Sequence, residues 1–210
     1  GDVAHADEDM LYRMFGIDAE LLIDHAWGRE PTLMSDIKSY RAKTNSITSG
    51  QVLPRDYSYE EGKLIIKEMA DLLSLELVEK GLVTDSITLH VGYSNRYVAK
   101  PAHGTISMTV TTSSSRQIVA YTERLYEQIV NKHQFVRRMT ITFNRVIDEV
   151  YRQYDLFTDP EDMERELQLQ KAMLDIKGKY GKNAILKGMN LEKGATTIER
   201  NQQIGGHKSG

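Results

Sequence analysis

The sequence predicts an α+β protein built around a ferredoxin-like β-α-β-β-α-β domain. Four strand-like segments occur between residues 46 and 151, and three of them alternate apolar and polar residues as half-buried strands do. Two stretches with helical apolar spacing lie between them, each preceded by a capping signal. In such a layer both helices cover one side of the sheet, so we expect the other face to be open.

Composition limits the kind of protein this can be. The chain has 210 residues, of which 40% are hydrophobic, enough for one domain with appendages. Its formal net charge of -3 does not indicate a nucleic-acid partner, so any basic surface must be local. The absence of cysteine excludes disulfides and fits a reducing, cytoplasmic compartment. No apolar run approaches the roughly 18 residues of a membrane span, so no membrane partner is expected.

The N-terminal part of the chain is predicted to be helical. Residues 1–38 show helical apolar spacing but are too few to close a core of their own. The chain does not start with Met and opens on a helix-like segment, which indicates part of a longer protein. Residues 39–45 form a predicted basic linker that contains Arg41 and Lys43.

The strands and helices of the central domain, residues 46–151, follow in order. The first strand is expected over residues 46–53, with Gly50 as a candidate bulge and Pro54 as its end. Two alternating strands follow around residues 87–93 and 106–111.

Serine residues begin both predicted helices of this domain. Ser58 and Glu61 form a Ser-x-x-Glu capping box, and Gly81 ends the helix that they begin. Ser114 and Gln117 open the second helix in the same way.

The last strand has Met139, Ile141 and Phe143 on one side and polar residues on the other. The polar face predicted for the last three strands contains Thr88, His90, Ser94, Ser107, Thr109, Thr111, Arg138, Thr140, Thr142 and Asn144. It has no Asp or Glu, and its donors suit phosphate oxygens. Two interpretations remain open, since threonine is also a good strand former on any solvent face.

The C-terminal part begins with residues 152–158, which contain a Gln-x-x-Leu-Phe sequence. Asp159 and Pro160 then start a predicted helix with an apolar stripe of Leu169, Met173, Ile176 and Tyr180. The end of the segment 159–210 is rich in Gly, Lys, Asn and Gln, so the sequence predicts a helix and a flexible tail.

Four segments resemble the C-terminal half of Y-family translesion DNA polymerases of the UmuC/DinB kind. Residues 11–30 (LYRMFGIDAELLIDHAWGRE) resemble the end of the thumb, and residues 43–61 (KTNSITSGQVLPRDYSYEE) the linker and first strand of the little finger. Residues 85–95 (DSITLHVGYSN) and 135–148 (FVRRMTITFNRVID) resemble its second and last strands. Residues 183–210 are similar to the C-terminus of UmuC-like proteins from Gram-positive bacteria.

The resemblance implies a little finger at residues 46–151 that grips a DNA primer-template without sequence preference. Arg137 and Arg138 take the place of the family's phosphate-binding pair. Thr142 stands where the family often has another basic residue. The DNA-binding residues are then expected to be Arg41, Lys43, Ser46, Ser49, Arg96, Arg137, Arg138, Thr140 and Thr142. From the sequence alone, the two arginines could also protect an edge strand.

The resemblance also implies a sliding clamp as partner. Gln153, Asp155, Leu156 and Phe157 match the family's clamp-binding pentapeptide, and a Leu-Phe pair can anchor a short peptide in an apolar pocket. The alternative is that Leu156 and Phe157 cap the domain's own core.

Catalysis is not expected from this chain. Nucleotidyl transfer needs carboxylates that hold two metals about 4 Å apart, and in the family these carboxylates and their Mg²⁺ lie in the palm. No cofactor is therefore expected here, whereas the parent would be a DNA-directed DNA polymerase of the SOS response, with accessory subunits of a mutasome as further partners. The alternatives are a non-catalytic scaffold tethered to the clamp, or a ferredoxin-like regulatory or dimerisation domain.

Overall fold

The computed structural model of the chain describes residues 1–16, 18–30, 32–39, 45–150 and 159–203. The chain divides into two compact units, Gly1–Lys43 and Thr44–Gly210. Arg41 and Lys43 of the predicted linker lie outside the described residues, and so does the whole predicted clamp peptide.

The first unit consists of short helices, in agreement with the helical spacing of its sequence. A 3-10 turn (Asp2–His5) precedes α1 (Glu8–Phe15), α2 (Asp18–Ala26) and α3 (Met34–Ser39). The Asp7 carboxylate caps α1 by accepting a hydrogen bond from the Met10 N–H at 2.9 Å. Leu11 is buried, but Met14 and Trp27 are 63% and 53% exposed. The unit therefore buries little of its own apolar surface.

The second unit contains one antiparallel sheet with two packed helices, as the sequence predicts. Its elements are β1 (Ile47–Tyr57), α4 (Tyr59–Lys80), β2 (Leu82–Tyr93), β3 (Ala102–Thr112), α5 (Ser115–Ile129), β4 (Val136–Asn144) and the short β5 (Ile147–Asp148). The strand order is β1-β4-β2-β3, and β5 pairs with the start of β2. Each helix joins two parallel strands that have one antiparallel strand between them, which is the split βαβ arrangement.

Strand β1 is longer than its sequence predicts. Its register with β4 runs regularly through Gly50 and Val52, so Gly50 is not a bulge. The irregularity falls between Val52 and Tyr57, and Pro54 lies within the strand instead of ending it. Because β1 is an edge strand, it tolerates the missing N–H of a proline.

Both central helices begin at the serines that the sequence indicates. The Glu61 N–H donates to Ser58 Oγ at 3.3 Å and the Ser58 N–H donates to Glu61 Oε2 at 2.9 Å, which completes the capping box of α4. Gly81 ends α4 in the left-handed conformation with φ 65°. On α5 Ser114 Oγ accepts from the Gln117 N–H at 3.2 Å, but the Gln117 side chain contacts a methionine sulfur of the C-terminal helix.

The core of the second unit lies between the sheet and helices α4 and α5. Met139, Ile141 and Phe143 of β4 are fully buried, as their alternation predicts. Tyr126 of α5 is also fully buried and donates its hydroxyl hydrogen to the Tyr59 carbonyl oxygen at 3.0 Å. Burial raises the pKa of the Tyr126 phenol, so this hydroxyl keeps its proton and remains a donor.

The C-terminal helix buries only part of the apolar stripe that its sequence predicts. The segment contains α6 (Pro160–Tyr180), a 3-10 turn (Gly188–Leu191) and α7 (Thr197–Asn201). Met173 of the predicted stripe is buried, but Leu169 and Tyr180 are 58% and 68% exposed. The polar Gln170 is buried as well. The Gln170 amide donates to the Ser113 carbonyl oxygen at 3.1 Å. This contact holds a polar residue of α6 against the connection between β3 and α5.

Residues 181–203 pack against α4 instead of forming the flexible tail that the sequence predicts. Glu68 of α4 is 2% exposed. Its two carboxylate oxygens accept hydrogen bonds from the Asn190 side-chain amide and from the Thr196 N–H, both at 2.8 Å. This buried carboxylate therefore holds two separate points of the segment.

A second buried carboxylate holds the same segment one turn further along α4. Asp71 accepts a hydrogen bond from the Lys187 ammonium group at 2.5 Å and another from the Ser115 hydroxyl. Because the segment has few apolar residues, polar contacts to buried acids replace the apolar burial that would otherwise hold it.

We expect Glu68→Ala to lower the free energy of unfolding by about 2–4 kcal/mol, because it leaves the Asn190 amide and the Thr196 N–H buried without their partner. Urea unfolding measures the change, and hydrogen exchange should show residues 182–203 losing protection first. Glu79→Ala, at an exposed site of the same helix, is the matched control and should change stability by no more than about 0.5 kcal/mol. Equal protection of the segment in both variants would contradict this expectation.

Candidate nucleic-acid interface

The sheet face turned away from α4 and α5 is a grid of rows that cross the strands. One row is made of four threonines, one from each long strand: Thr48, Thr142, Thr88 and Thr105. The next row contains Gly50, Thr140, His90 and His103. The flanking rows contain Asn144, Ser86 and Ser107 on one side and Val52, Arg138 and Gly92 on the other. These four rows, here called the open face, include no acidic residue.

The four hydroxyls of the threonine row are hydrogen-bonded in pairs. Thr48 Oγ1 lies 3.0 Å from Thr142 Oγ1, and Thr88 Oγ1 lies 2.8 Å from Thr105 Oγ1. The Asn144 amide donates to Thr88 Oγ1 at 2.9 Å. Since a hydroxyl has one hydrogen, only one member of each pair can donate to the other. The hydrogen of the second member is therefore not used within the pair.

A β-bulge places two arginines next to each other at one end of the open face. Gly92 and Tyr93 of β2 pair with Arg138 and Val136 of β4, so Arg137 is the extra residue of the bulge. A bulge interrupts the alternation of side chains and redirects one of them. Arg138 is exposed and Arg137 is half-buried. The sequence pattern of strict alternation could not predict this arrangement.

An open depression adjoins the bulge. It is lined by Arg55, Asp56, Ser94, Asn95, Arg96 and Arg137. Arg96 Nε lies 3.1 Å from Asp56 Oδ2, and the same oxygen accepts a hydrogen bond from Ser94 Oγ at 2.9 Å. The lining residues carry three guanidinium groups and one carboxylate, so their summed charge is positive.

Arg55 is tied to the cap of helix α4. Its Nη1 and Nη2 donate to the two carboxylate oxygens of Glu61 at 3.2 and 2.6 Å. The contact raises the pKa of Arg55. The same guanidinium, together with the hydrogen bond from Ser58, lowers the pKa of Glu61 from 4.5 to about 2. Sequence reasoning missed Arg55, because the expectation that Pro54 ends the strand left Arg55 outside the sheet.

The structure brings five of the residues expected to bind DNA to one region. Arg138, Thr140 and Thr142 lie on the open face, and Arg96 and Arg137 line the depression beside it.

Other expected contacts lie elsewhere. Ser46 is exposed just before β1, but Ser49 pairs with the fully buried Ile141 and therefore lies on the helix side of the sheet. Outside the described residues are Arg41, Lys43, Gln153, Asp155, Leu156 and Phe157.

The open face does not contain the same residues as the polar face that the sequence predicts. Ser94 is 4% exposed and bonded to Asp56, so it does not belong to the open face. Thr109 and Thr111 lie beyond a break in the register of β3. Residues that sequence reasoning did not place on this face are Thr48, Gly50, Val52, Ser86, Gly92, His103 and Thr105. The alternation of β3, extended back towards its start at Ala102, could have identified the last two.

The described part of the chain has neither a metal-binding cluster nor a membrane-spanning helix. It contains no group of three or more His, Asp or Glu side chains that could hold a metal ion. None of its helices combines the length and the apolar character that crossing a membrane requires.

Comparison with known proteins identifies the family. Residues 44–156 match the impB/mucB/samB family C-terminal domain. This match covers more than half of the chain, so the chain belongs to the impB/mucB/samB family. The resemblance to the C-terminal half of Y-family DNA polymerases is thereby confirmed.

The similar proteins include two proteins from Bacillus species. UvrX of Bacillus subtilis (strain 168), a protein named for UV-damage repair, is 28% identical over 100% of the chain and 49% of its own length. DNA polymerase IV of Bacillus velezensis is 26% identical over 92% of the chain and 46% of its own length. The chain thus spans about half the length of the curated relatives it matches.

Two solved structures match 70% of the chain and 40% of their own chains. The insertion ternary complex of Dbh DNA polymerase does so at 15% identity and a TM-score of 0.40. A Y-family DNA polymerase chimera of Dbh and Dpo4 does so at 14% identity and a TM-score of 0.44.

The low pKa of Glu61 makes stability depend on acid pH. A carboxyl whose pKa is lowered on folding stabilises the protein fully above its unfolded pKa, and this contribution disappears as pH falls towards the folded pKa. We therefore expect the stability advantage of the wild type over Glu61→Gln to be constant above about pH 5 and to shrink between pH 4.5 and about 2. Urea unfolding at a series of pH values measures it, with Glu79→Gln as the control. A difference that does not change with pH would count against this role of the Arg55–Glu61 contact.

Proposed function

We propose that this chain is the DNA-binding part of an error-prone translesion DNA polymerase. The observation that carries the proposal is the open face: four rows without an acidic side chain, ending at Arg137 and Arg138. In a chain with 30 acidic residues and a net charge of -3, such a surface indicates a phosphate ligand. The names of the relatives, DNA polymerase IV and a UV-damage repair protein, support DNA as the source of the phosphate.

The contacts would be made to the DNA backbone. Threonine hydroxyls donate to phosphate oxygens, and the guanidinium groups of the bulge add charge-assisted hydrogen bonds. Backbone phosphates are the same for every base pair, so binding is independent of sequence and weakens as salt rises. A regulatory or dimerisation domain would instead expose an apolar face, whereas Val52 is the one aliphatic side chain in the four rows.

Nucleotidyl transfer itself would be performed by another part of the whole protein. That reaction uses carboxylates around two metal ions, Mg²⁺ in the family this chain resembles. We propose that the whole protein acts in the bacterial cytoplasm in the SOS response, together with accessory subunits. A clamp-tethered scaffold without catalysis is the second candidate, and polymerase assays on the whole protein distinguish the two.

The first test is DNA binding by an Arg137→Ala, Arg138→Ala double variant. We expect its affinity for a labelled primer-template at low salt to fall about ten-fold. The slope of log affinity against log salt should decrease by about 1 to 2, since each lost phosphate contact contributes about 0.9. Fluorescence anisotropy at several salt concentrations measures both quantities.

A matched control removes the same charge from the helix side of the chain. Arg124→Ala with Arg165→Ala changes two exposed arginines of α5 and α6. This variant should keep nearly all of the affinity and the slope. If both double variants lose the same affinity, only net charge matters and the open face is not the binding surface.

We also propose that Gln153, Asp155, Leu156 and Phe157 bind the sliding clamp. The support is the resemblance of this sequence to the family's clamp peptide and the value of a Leu-Phe pair as an apolar anchor.

The clamp proposal predicts separate effects on binding and stability. Leu156→Ala with Phe157→Ala should abolish binding to the clamp, measured by surface plasmon resonance, and change the free energy of unfolding by less than about 1 kcal/mol. A loss of about 3 kcal/mol or more would show instead that the two side chains belong to the core. Val150→Ala, at an exposed site just before the peptide, is the control.

A further inference from the structure

Two histidines lie side by side on the open face. His90 of β2 and His103 of β3 are register partners, and both are exposed. Their ring centroids are 6.2 Å apart, with an angle of 65° between the ring planes. We call them the histidine pair. They occupy two of the four positions in their row, and this row is next to the threonine row.

Few charged side chains lie near the histidine pair. Strand β4 contributes Arg138 in the next row, β1 contributes only the uncharged Gly50 to the same row, and Lys100 precedes β3 by two residues. On β2 the nearest carboxylate is Asp85, five residues away, and it is already paired with Arg145 at 2.7 Å. In the rows next to the pair, the described structure places no carboxylate that could neutralise an imidazolium.

We propose that the histidine pair is a proton-linked contact for backbone phosphate, separate from the two arginines of the bulge. This inference rests on the proposed DNA-binding function and adds a pH dependence to it. A neutral imidazole offers one N–H donor, whereas an imidazolium offers two donors and a positive charge. Two imidazolium rings this close repel each other in the free protein, and a phosphate that contacts both removes the repulsion.

The direction of the pH effect follows from linkage. A phosphate binds the protonated pair more tightly than the neutral pair, so bound DNA must increase the protons held by the pair. Histidine is the side chain that changes its charge between about pH 5 and 8. The affinity for DNA should therefore increase as pH falls from 8 to 6.

The experiment measures binding of a labelled primer-template at pH 8, 7 and 6, at constant ionic strength and with EDTA present to exclude bridging metal ions. We expect the wild type to bind about ten-fold more tightly at pH 6 than at pH 8, corresponding to one or two added charge-assisted phosphate contacts. His90→Gln with His103→Gln should show no more than a two-fold increase in its own affinity between pH 8 and pH 6, by the same estimate. His133→Gln changes an exposed histidine in the α5–β4 connection and should keep the full increase.

The outcomes separate this inference from the function on which it rests. A pH dependence that is the same in the wild type and in the double glutamine variant overturns the role of the histidine pair and leaves the DNA-binding surface intact. Absence of binding by all three proteins at every pH overturns the proposed function and the inference with it. A pH dependence lost in the double variant but kept in His133→Gln establishes the pair as the proton-linked contact.

Discussion

The fold and the candidate interface both depend on the position of strand β4 in the middle of the sheet. Met139, Ile141 and Phe143 are completely buried between β1, β2 and the helices. A shift of one residue in the register would expose these three side chains and bury Arg138 and Thr140. The protein would lose apolar burial and would also bury an unpaired charge. Hydrophobic burial on one side of β4 therefore fixes which polar side chains reach the solvent on the other side.

The C-terminal segment of the chain covers buried carboxylates on the helix side of the sheet. Glu68 and Asp71 would be costly as isolated buried anions, and the C-terminal segment supplies the N–H and ammonium groups that pair with them. The same segment reaches the edge of the sheet, where Arg200 donates to the Gln51 side chain at 2.5 Å. The polar groups on the helix side are therefore paired within the chain, whereas the open face has hydrogen-bond donors that a partner could use.

Sequence patterns predicted the parts of this structure that depend on local rules. Alternation identified β4, and the Ser58–Glu61 capping box identified the start of α4, because both signals lie within a few residues. The bulge at Arg137, the continuation of β1 past Pro54 and the packing of the C-terminal segment depend on contacts between distant residues. Glu68 and Thr196 are 128 residues apart, and no period in the sequence links a buried acid to a polar segment so far along the chain.

Charged side chains are distributed unevenly over the protein, whose net charge is negative. On the helix side, Lys63 is surrounded by Glu60, Glu123 and Glu127 at 3.4, 3.8 and 3.1 Å, so its charge is already neutralised by acids. A phosphate backbone would be repelled there and attracted to the acid-free open face. Hydroxyl donors on that face make no distinction between bases, so the proposed contact to a phosphate backbone would be oriented by electrostatics and would not read sequence.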